Sequence, residues 1–313
     1  HRDLHSFPTR RSSDLLEDGS LLFAGGTLHY PKFPEPYAGL KTAFIYTPES
    51  KEWTRASDMH MGRWYPTLIR LTDNSVLAIA GFQHGSPRLW LRKQERFRSG
   101  DGWQVLNQKK LFPLYPRLHL LPNGKVFYSG VFNTHFQFPL AFPSALWDAT
   151  VERWENCGGR HGEANREEGI SLLLALRPQW NYRPEVLIAG GGSHNKGRLL
   201  LGFLRAVHLG NLATKWGENT ALDSVERIDL DQSFPHWQSE TKMHYKRIHA
   251  VGVLLPNGKV LAVGGMQGHN HFMTKEEFQD QNMASKHGVL NAEIFDPEQH
   301  TWTLMAAQQN ARL

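Results

Sequence analysis

One phrase, written again and again along the chain, limits what it can fold into. A polar turn leads into a short apolar run, and the run closes on small residues. The phrase occurs in Leu16–Gly26 (LEDGSLLFAGG), Leu121–Gly130 (LPNGKVFYSG), Pro184–Gly192 (PEVLIAGGG) and Leu255–Gly265 (LPNGKVLAVGG). It also ends the stretch Met61–Gly81 (MGRWYPTLIRLTDNSVLAIAG), where Thr72–Ser75 form the turn between two apolar runs. Asp18-Gly19, Asn123-Gly124 and Asn257-Gly258 are pairs that accept the positive φ of a tight hairpin. Each following run is too short for an ordinary helix and rich in Val, Leu and Phe, so it predicts a buried strand. The closing small residues predict a place where backbones approach one another.

A second element follows each hairpin: a strand, a turn, then Trp. It appears as AFIYTPESKEW (Trp53), ERFRSGDGW (Trp103), ALWDATVERW (Trp154), ERIDLDQSFPHW (Trp237) and EIFDPEQHTW (Trp302). The intervals are 50, 51, 83 and 65 residues. A spacing near 50, short strands and a glycine doublet describe a kelch-type blade. The expected fold is all-β: a kelch-type β-propeller, seven-bladed in the full protein and incomplete here. The five tryptophans are expected to pack between blades.

Composition sets the remaining bounds. A chain of 313 residues suits one large all-β domain, and 17 prolines suit a turn-rich one. No run of ~20 apolar residues suggests a membrane span. The net charge of +5 is scattered rather than gathered in a patch, which argues against nucleic acid. One cysteine, Cys157, excludes an intrachain disulfide framework. Residues 1–15 (HRDLHSFPTRRSSDL) lack periodicity and read as a non-native, adapter-like segment or a disordered tail. Residues 16–313 then form the partial propeller. Arg198–Leu222 breaks the rhythm and reads either as an insertion, with helical apolar spacing in its first half, or as an unspliced or misassembled piece.

The wording of GRWYPT (Gly62–Thr67), LYPRLHLLPNGKVFYSG (Leu114–Gly130) and RIHAVGVLLPNGKVLAVGG (Arg247–Gly265) is more specific than the hairpins alone. It resembles the galactose oxidase/glyoxal oxidase family of copper radical oxidases, closer to the glyoxal oxidase branch. The resemblance implies one copper on the propeller axis, held by two tyrosines, two histidines and solvent. One of those tyrosines is joined to a cysteine by a thioether. The tyrosine of the family's R-x-Y motif falls on Tyr65, in Arg63-Trp64-Tyr65, as metal ligand and catalytic residue. The ordinary alternative for Tyr65 is a half-buried strand aromatic. Arg117 is the substrate-side candidate, against the alternative of a blade-edge ion pair.

The rest of the family's site is not matched. The family cysteine would fall among residues 1–15, and Cys157 lies in a different blade's Trp turn. The Y-H-S motif would follow Leu313, and the last histidine belongs to a C-terminal β-sandwich domain missing from this sequence. His249 occupies the comparable place in Arg247-Ile248-His249 and reads as a strand histidine. His269 and His271 form an H-x-H without a third ligand. The implied activity is oxidation of an aldehyde or primary alcohol by O2, giving H2O2, in a secreted monomeric enzyme with copper as cofactor. A carbohydrate is a possible substrate, and the chain as given is expected to be inactive. The alternative is a non-catalytic kelch-like propeller that binds protein or carbohydrate. A hydrolytic propeller would need paired carboxylates or an arginine cluster, and the sequence offers neither pattern.

Overall fold

A computed structural model describes residues 12–27, 39–83, 91–132, 143–159, 162, 166–194, 219–267, 269–270 and 287–310. The chain divides into two compact units, one of residues 1–128 with 145–155, the other of residues 129–144 with 156–313. Among the described residues strands dominate both, and Pro178–Trp180 forms a short 3-10 turn. The fold is all-β and β-propeller-like, built from four-stranded antiparallel blades as the repeats require.

The first unit holds three blades. The first is β1 (Ser12–Leu15), β2 (Leu21–Ala24), β3 (Ala43–Thr47) and β4 (Glu52–Arg55), paired in that order. The second is β5 (Thr67–Arg70), β6 (Val76–Ile79), β7 (Lys93–Arg98) and β8 (Gly102–Lys109), again in order. The third uses β9 (Leu118–Leu120) and β10 (Val126–Tyr128). It skips β11 (Val131–Phe132) and continues with β12 (Ala145–Asp148) and β13 (Arg153–Asn156). In each blade the second strand is the phrase after the polar turn; β6, β10 and β16 are buried throughout, while β2 and β22 alternate buried and half-buried residues. In β6, Val76, Leu77, Ala78 and Ile79 are all inaccessible to solvent.

In the second unit, β14 (Arg166–Glu167) precedes a blade of β15 (Ile170–Leu173) and β16 (Glu185–Ala189). Next come β17 (Gly192–His194) and β18 (Asn219–Ala221), and then that blade's outer strands β19 (Val225–Asp229) and β20 (Trp237–Glu240). The last blade joins β21 (Val251–Leu254), β22 (Val260–Val263), β24 (Asn291–Asp296) and β25 (Thr301–Ala307). Between β22 and β24 lies β23 (His269–Asn270). The short strands β11, β14, β17, β18 and β23 form a separate sheet in which β11 and β14 run parallel.

The apolar cores lie between successive blades. Leu22, Ala24, Val76, Ala78, Phe97 and Trp103 pack together in the first unit. Leu187, Ala189, Val260, Ala262, Phe295 and Trp302 do the same in the second. Each large side chain so buried contributes about 1.5–3 kcal/mol.

Two expectations from the sequence need correction. Residues 12–15 are not outside the fold, because β1 pairs with β2 from Ser12↔Ala24 to Leu15↔Leu21. Four residues are too few to show periodicity, and their strand form is imposed by the neighbouring LLFA. Not every blade tryptophan is buried: Trp103, Trp154 and Trp302 are, but Trp53 is 45% exposed and rests on Phe23 and Tyr46. Of the segment 198–222, the helical-spaced first half lies outside the described residues. Its end forms β18, paired with β17.

Candidate functional site

Three of the blades carry a device that the repeats did not announce. Arg63, Arg166 and Arg247 are fully buried. Each guanidinium meets a carboxylate on the third strand of its own blade. Arg63 donates from Nε (3.1 Å) and Nη2 (2.9 Å) to Oε2 of Glu95. Arg166 does so to Oε2 of Glu226 at 3.1 and 2.6 Å. Arg247 does so to Oε1 of Glu293 at 3.2 and 2.9 Å. The remaining nitrogen, Nη1, donates to the carbonyl just past the second strand: Ala80 (2.7 Å), Gly190 (2.9 Å) and Gly264 (2.7 Å). A planar fork with five donors satisfies all these acceptors at once, and an ammonium could not. Charged partners are the condition on which such groups are buried at all.

The arginine backbone ties the same position to the preceding blade. Gly26 N–H donates to Arg63 O at 2.8 Å, and Gly191 N–H donates to Arg247 O at 2.7 Å. This explains the glycine doublets. A Cβ on Gly25 would stand 2.4 Å from Arg63 O, and one on Gly190 would stand 2.6 Å from Arg247 O. The crowding expected at the closing small residues is therefore a contact between glycine and the next blade's arginine.

Two residues after each arginine the backbone turns left-handed. Tyr65 has φ 62°, Glu168 has φ 54° and His249 has φ 62°. Such angles are uncommon outside glycine and are held only where the surroundings fix them. The locked arginine two positions before anchors the chain at these three sites. Tyr65 is 1% exposed. Its ring is stacked between Trp64 (3.9 Å) and Tyr115 (4.6 Å), and its carbonyl accepts the Tyr115 N–H. Tyr115, at φ 45°, holds the matching place in the third blade. In the second unit, His249 Nδ1 lies 3.5 Å from Glu168 Oε2, and His249 N–H donates to Glu168 O at 3.1 Å.

The sequence candidates are distributed as follows. Tyr65 sits at the head of a locked arginine, in a stack of oxidisable rings. Arg117 is exposed and immediately precedes β9. Two residues on, burial lowers the His119 imidazole to about 4, and the Arg117 charge adds to the effect. Cys157 N–H donates to Ser144 O, and Ser144 Oγ donates to Cys157 O at 2.6 Å, so this cysteine belongs to a turn beside β12. His269 lies in β23, and His271 falls outside the described residues. Among the described residues, no group of three or more His, Cys, Asp or Glu side chains converges where a metal could sit. One phenol is a single ligand. The described side chains therefore do not themselves fit a copper ion, and no step is derived through one.

Sequence reasoning missed the glutamates and treated the arginines only as part of a motif. Both were visible. The strand-turn-Trp segments of the three arginine blades begin with Glu95, Glu226 and Glu293, whereas the other two begin with Ala43 and Ala145.

An aldehyde oxidase of Vitis pseudoreticulata is 28% identical over 272 residues, covering 82% of this chain and 44% of its own length. A fungal alcohol oxidase in complex with copper superposes with a TM-score of 0.67 at 18% identity, over 96% of this chain and 54% of that one. YjhT superposes with a TM-score of 0.59 at 11% identity, over 95% of this chain and 83% of that one. The chain thus spans about half the length of the two oxidases. The family described as glyoxal oxidase N-terminus matches residues 8–311. That span takes in all three locked arginines and Tyr65, and the chain belongs to that family.

Proposed function

We propose that this chain is the propeller portion of a secreted, monomeric copper radical oxidase. Its reaction converts an aldehyde with water to the acid, or a primary alcohol to the aldehyde. Two electrons and two protons pass to O2, which leaves as H2O2. Copper would supply the one-electron chemistry in the longer protein. Tyr65 is assigned as the redox-active ligand, and Arg117 as a cation on the substrate side. The observation that carries this reading is Tyr65 itself: a buried, left-handed tyrosine two residues after a buried arginine, stacked on Trp64 and Tyr115. An electron-rich stack of this kind lowers the cost of oxidising a phenol.

The test uses a longer protein that contains this chain, loaded with copper and assayed for H2O2 from glyoxal and from primary alcohols. Tyr65→Phe is expected to abolish H2O2 release without loss of fold, and Arg117→Ala to raise KM more than it lowers kcat. Unchanged turnover in Tyr65→Phe would remove the assignment. A copper-loaded longer protein that makes no H2O2 would favour a propeller that only binds protein or carbohydrate. The 313-residue chain alone is expected to show no tight copper site, and a tight 1:1 complex would contradict the missing-ligand reading.

A further inference from the structure

At the far end of the two blades of the second unit, away from the Gly190-Gly191 doublet, lies a groove of about 590 Å³. That volume is within the range of small-ligand sites. It is lined by Trp180, Arg183, Glu185, Arg227, Glu298 and His300, among others. Glu185 opens β16 and Gly190 follows its end, so five strand residues separate the groove from the locked Arg166.

Its mouth is formed by a strained loop. Arg177 O accepts the N–H groups of both Trp180 and Tyr182, and two successive non-glycine residues, Asn181 (φ 52°) and Tyr182 (φ 54°), are left-handed. Consecutive residues of that kind persist only where the surroundings over-determine them, and they cluster at ligand sites. The result here is an indole held at the rim rather than in a core. Arg177 stacks on the Trp180 ring at 5.0 Å and pairs with Glu298, which fixes the ring plane.

The wall behind the indole alternates donors and acceptors. Glu185 is buried and takes Arg183 Nη2 at 3.1 Å and Arg227 Nη1 at 3.6 Å. Arg227 Nε pairs with Glu240 at 2.9 Å, and His300 Nδ1 meets the same carboxylate at 2.9 Å. Arg183 Nε is buried and lies 3.5 Å from Asp229 Oδ2. Three arginines (177, 183, 227) stand against four carboxylates (185, 229, 240, 298), so the charges nearly cancel and an ion gains no net attraction. A flat aromatic rim beside paired guanidinium donors and carboxylate acceptors matches one class of ligand. That class is a neutral ring with an apolar face and vicinal hydroxyl groups.

We infer that this groove is a binding site for a neutral saccharide unit, with Trp180 as the platform under the sugar ring and the half-exposed Arg183 as its hydroxyl partner. The site does not depend on copper or on Tyr65.

The test is a titration of the 313-residue chain labelled with 15N-tryptophan, whose ten tryptophans give ten indole signals. The probes are glucose, galactose, mannose, xylose and cellobiose, with glucuronate as the anionic control. The Trp180 signal is identified as the one absent from Trp180→Phe, and the other nine report that the variant is folded. At least one neutral sugar should shift that signal saturably, with Kd on the order of 1 mM. Arg183→Gln should weaken binding about tenfold, since a hydrogen-bond partner is lost. No shift with any neutral sugar up to about 50 mM, some fiftyfold above that Kd, overturns the inference. So does a response to glucuronate alone, or a shift confined to other indoles.

Discussion

Replacing Arg63 by alanine tests whether the buried arginines hold the blades. Arg63 and Glu95 have no exposed side-chain surface. Burial lowers the Arg63 guanidinium from its ordinary value, and the adjacent Glu95 charge opposes that. In Arg63→Ala, Glu95 keeps only the His60 contacts, from N–H at 2.6 Å and Nδ1 at 3.2 Å. The carbonyls of Ala80 and Lys93 lose donors at 2.7 and 3.0 Å. Breaking one side of a buried ion pair costs about 3–5 kcal/mol, and a stranded carbonyl about 1–3 more, without simple additivity. The expected loss is about 4 kcal/mol, a large share of the 5–15 kcal/mol typical of a domain. Two compact units make a single global transition an unsafe measure. The assay is therefore native-state hydrogen exchange at the β6 and β7 amides, where Leu77 pairs with Arg96. Arg63→Met with Glu95→Leu should cost clearly less than Arg63→Ala, because both charges leave together. A loss below about 3 kcal/mol in Arg63→Ala would refute the argument, that being the lower bound for a broken buried pair. A double variant as damaging as the single one would refute it equally.

Four further outcomes are expected. Gly190→Ala forces a Cβ to 2.6 Å from Arg247 O at φ +62°, and should lower the melting temperature through a loss of about 2 kcal/mol or more; an unchanged melting curve would contradict it. Tyr128→Phe removes a buried hydroxyl that has no hydrogen-bond partner among the described residues, and should stabilise by about 1 kcal/mol in urea unfolding, with a loss counting against it. His119 is held neutral, at about 4 against an ordinary 6.5, so the unfolded chain binds its proton first. Its stabilisation is complete above about pH 6.5 and is lost as pH falls toward 4, on the order of 3 kcal/mol; His119→Gln should flatten that slope. Deleting residues 1–15 removes β1 and the Asp14 carboxylate that accepts Arg70 N–H at 2.5 Å, so it should lower stability measurably.

The blades were legible because a hairpin is a local object. The turn, the run and the closing glycines lie within about ten residues, and strand burial follows from their composition alone. The arginine-glutamate pairs were harder to see. Arg63 and Glu95 are 32 positions apart, Arg166 and Glu226 are 60, and Arg247 and Glu293 are 46, so no fixed spacing links them. What links them is register. Ala78 faces Glu95 and Ala262 faces Glu293 on the neighbouring strand, while in the third blade Tyr128 faces Ala145. That third blade has Pro113 where Arg63 would stand, counting back from the Tyr-Pro shared by both blades. Arginine and glutamate are thus present together or replaced together, as burial of charge demands. The same logic explains why Tyr65 could be picked from its motif but not justified by it. Its surroundings come from an arginine held by a carboxylate on β7 and from an aromatic residue of the next blade, neither carboxylate nor ring adjacent in sequence. The left-handed position recurs in blades with the arginine and at Tyr115, which follows Pro113. Glu168 and His249 have the same locked backbone as Tyr65, and the side chain alone decides what each blade presents.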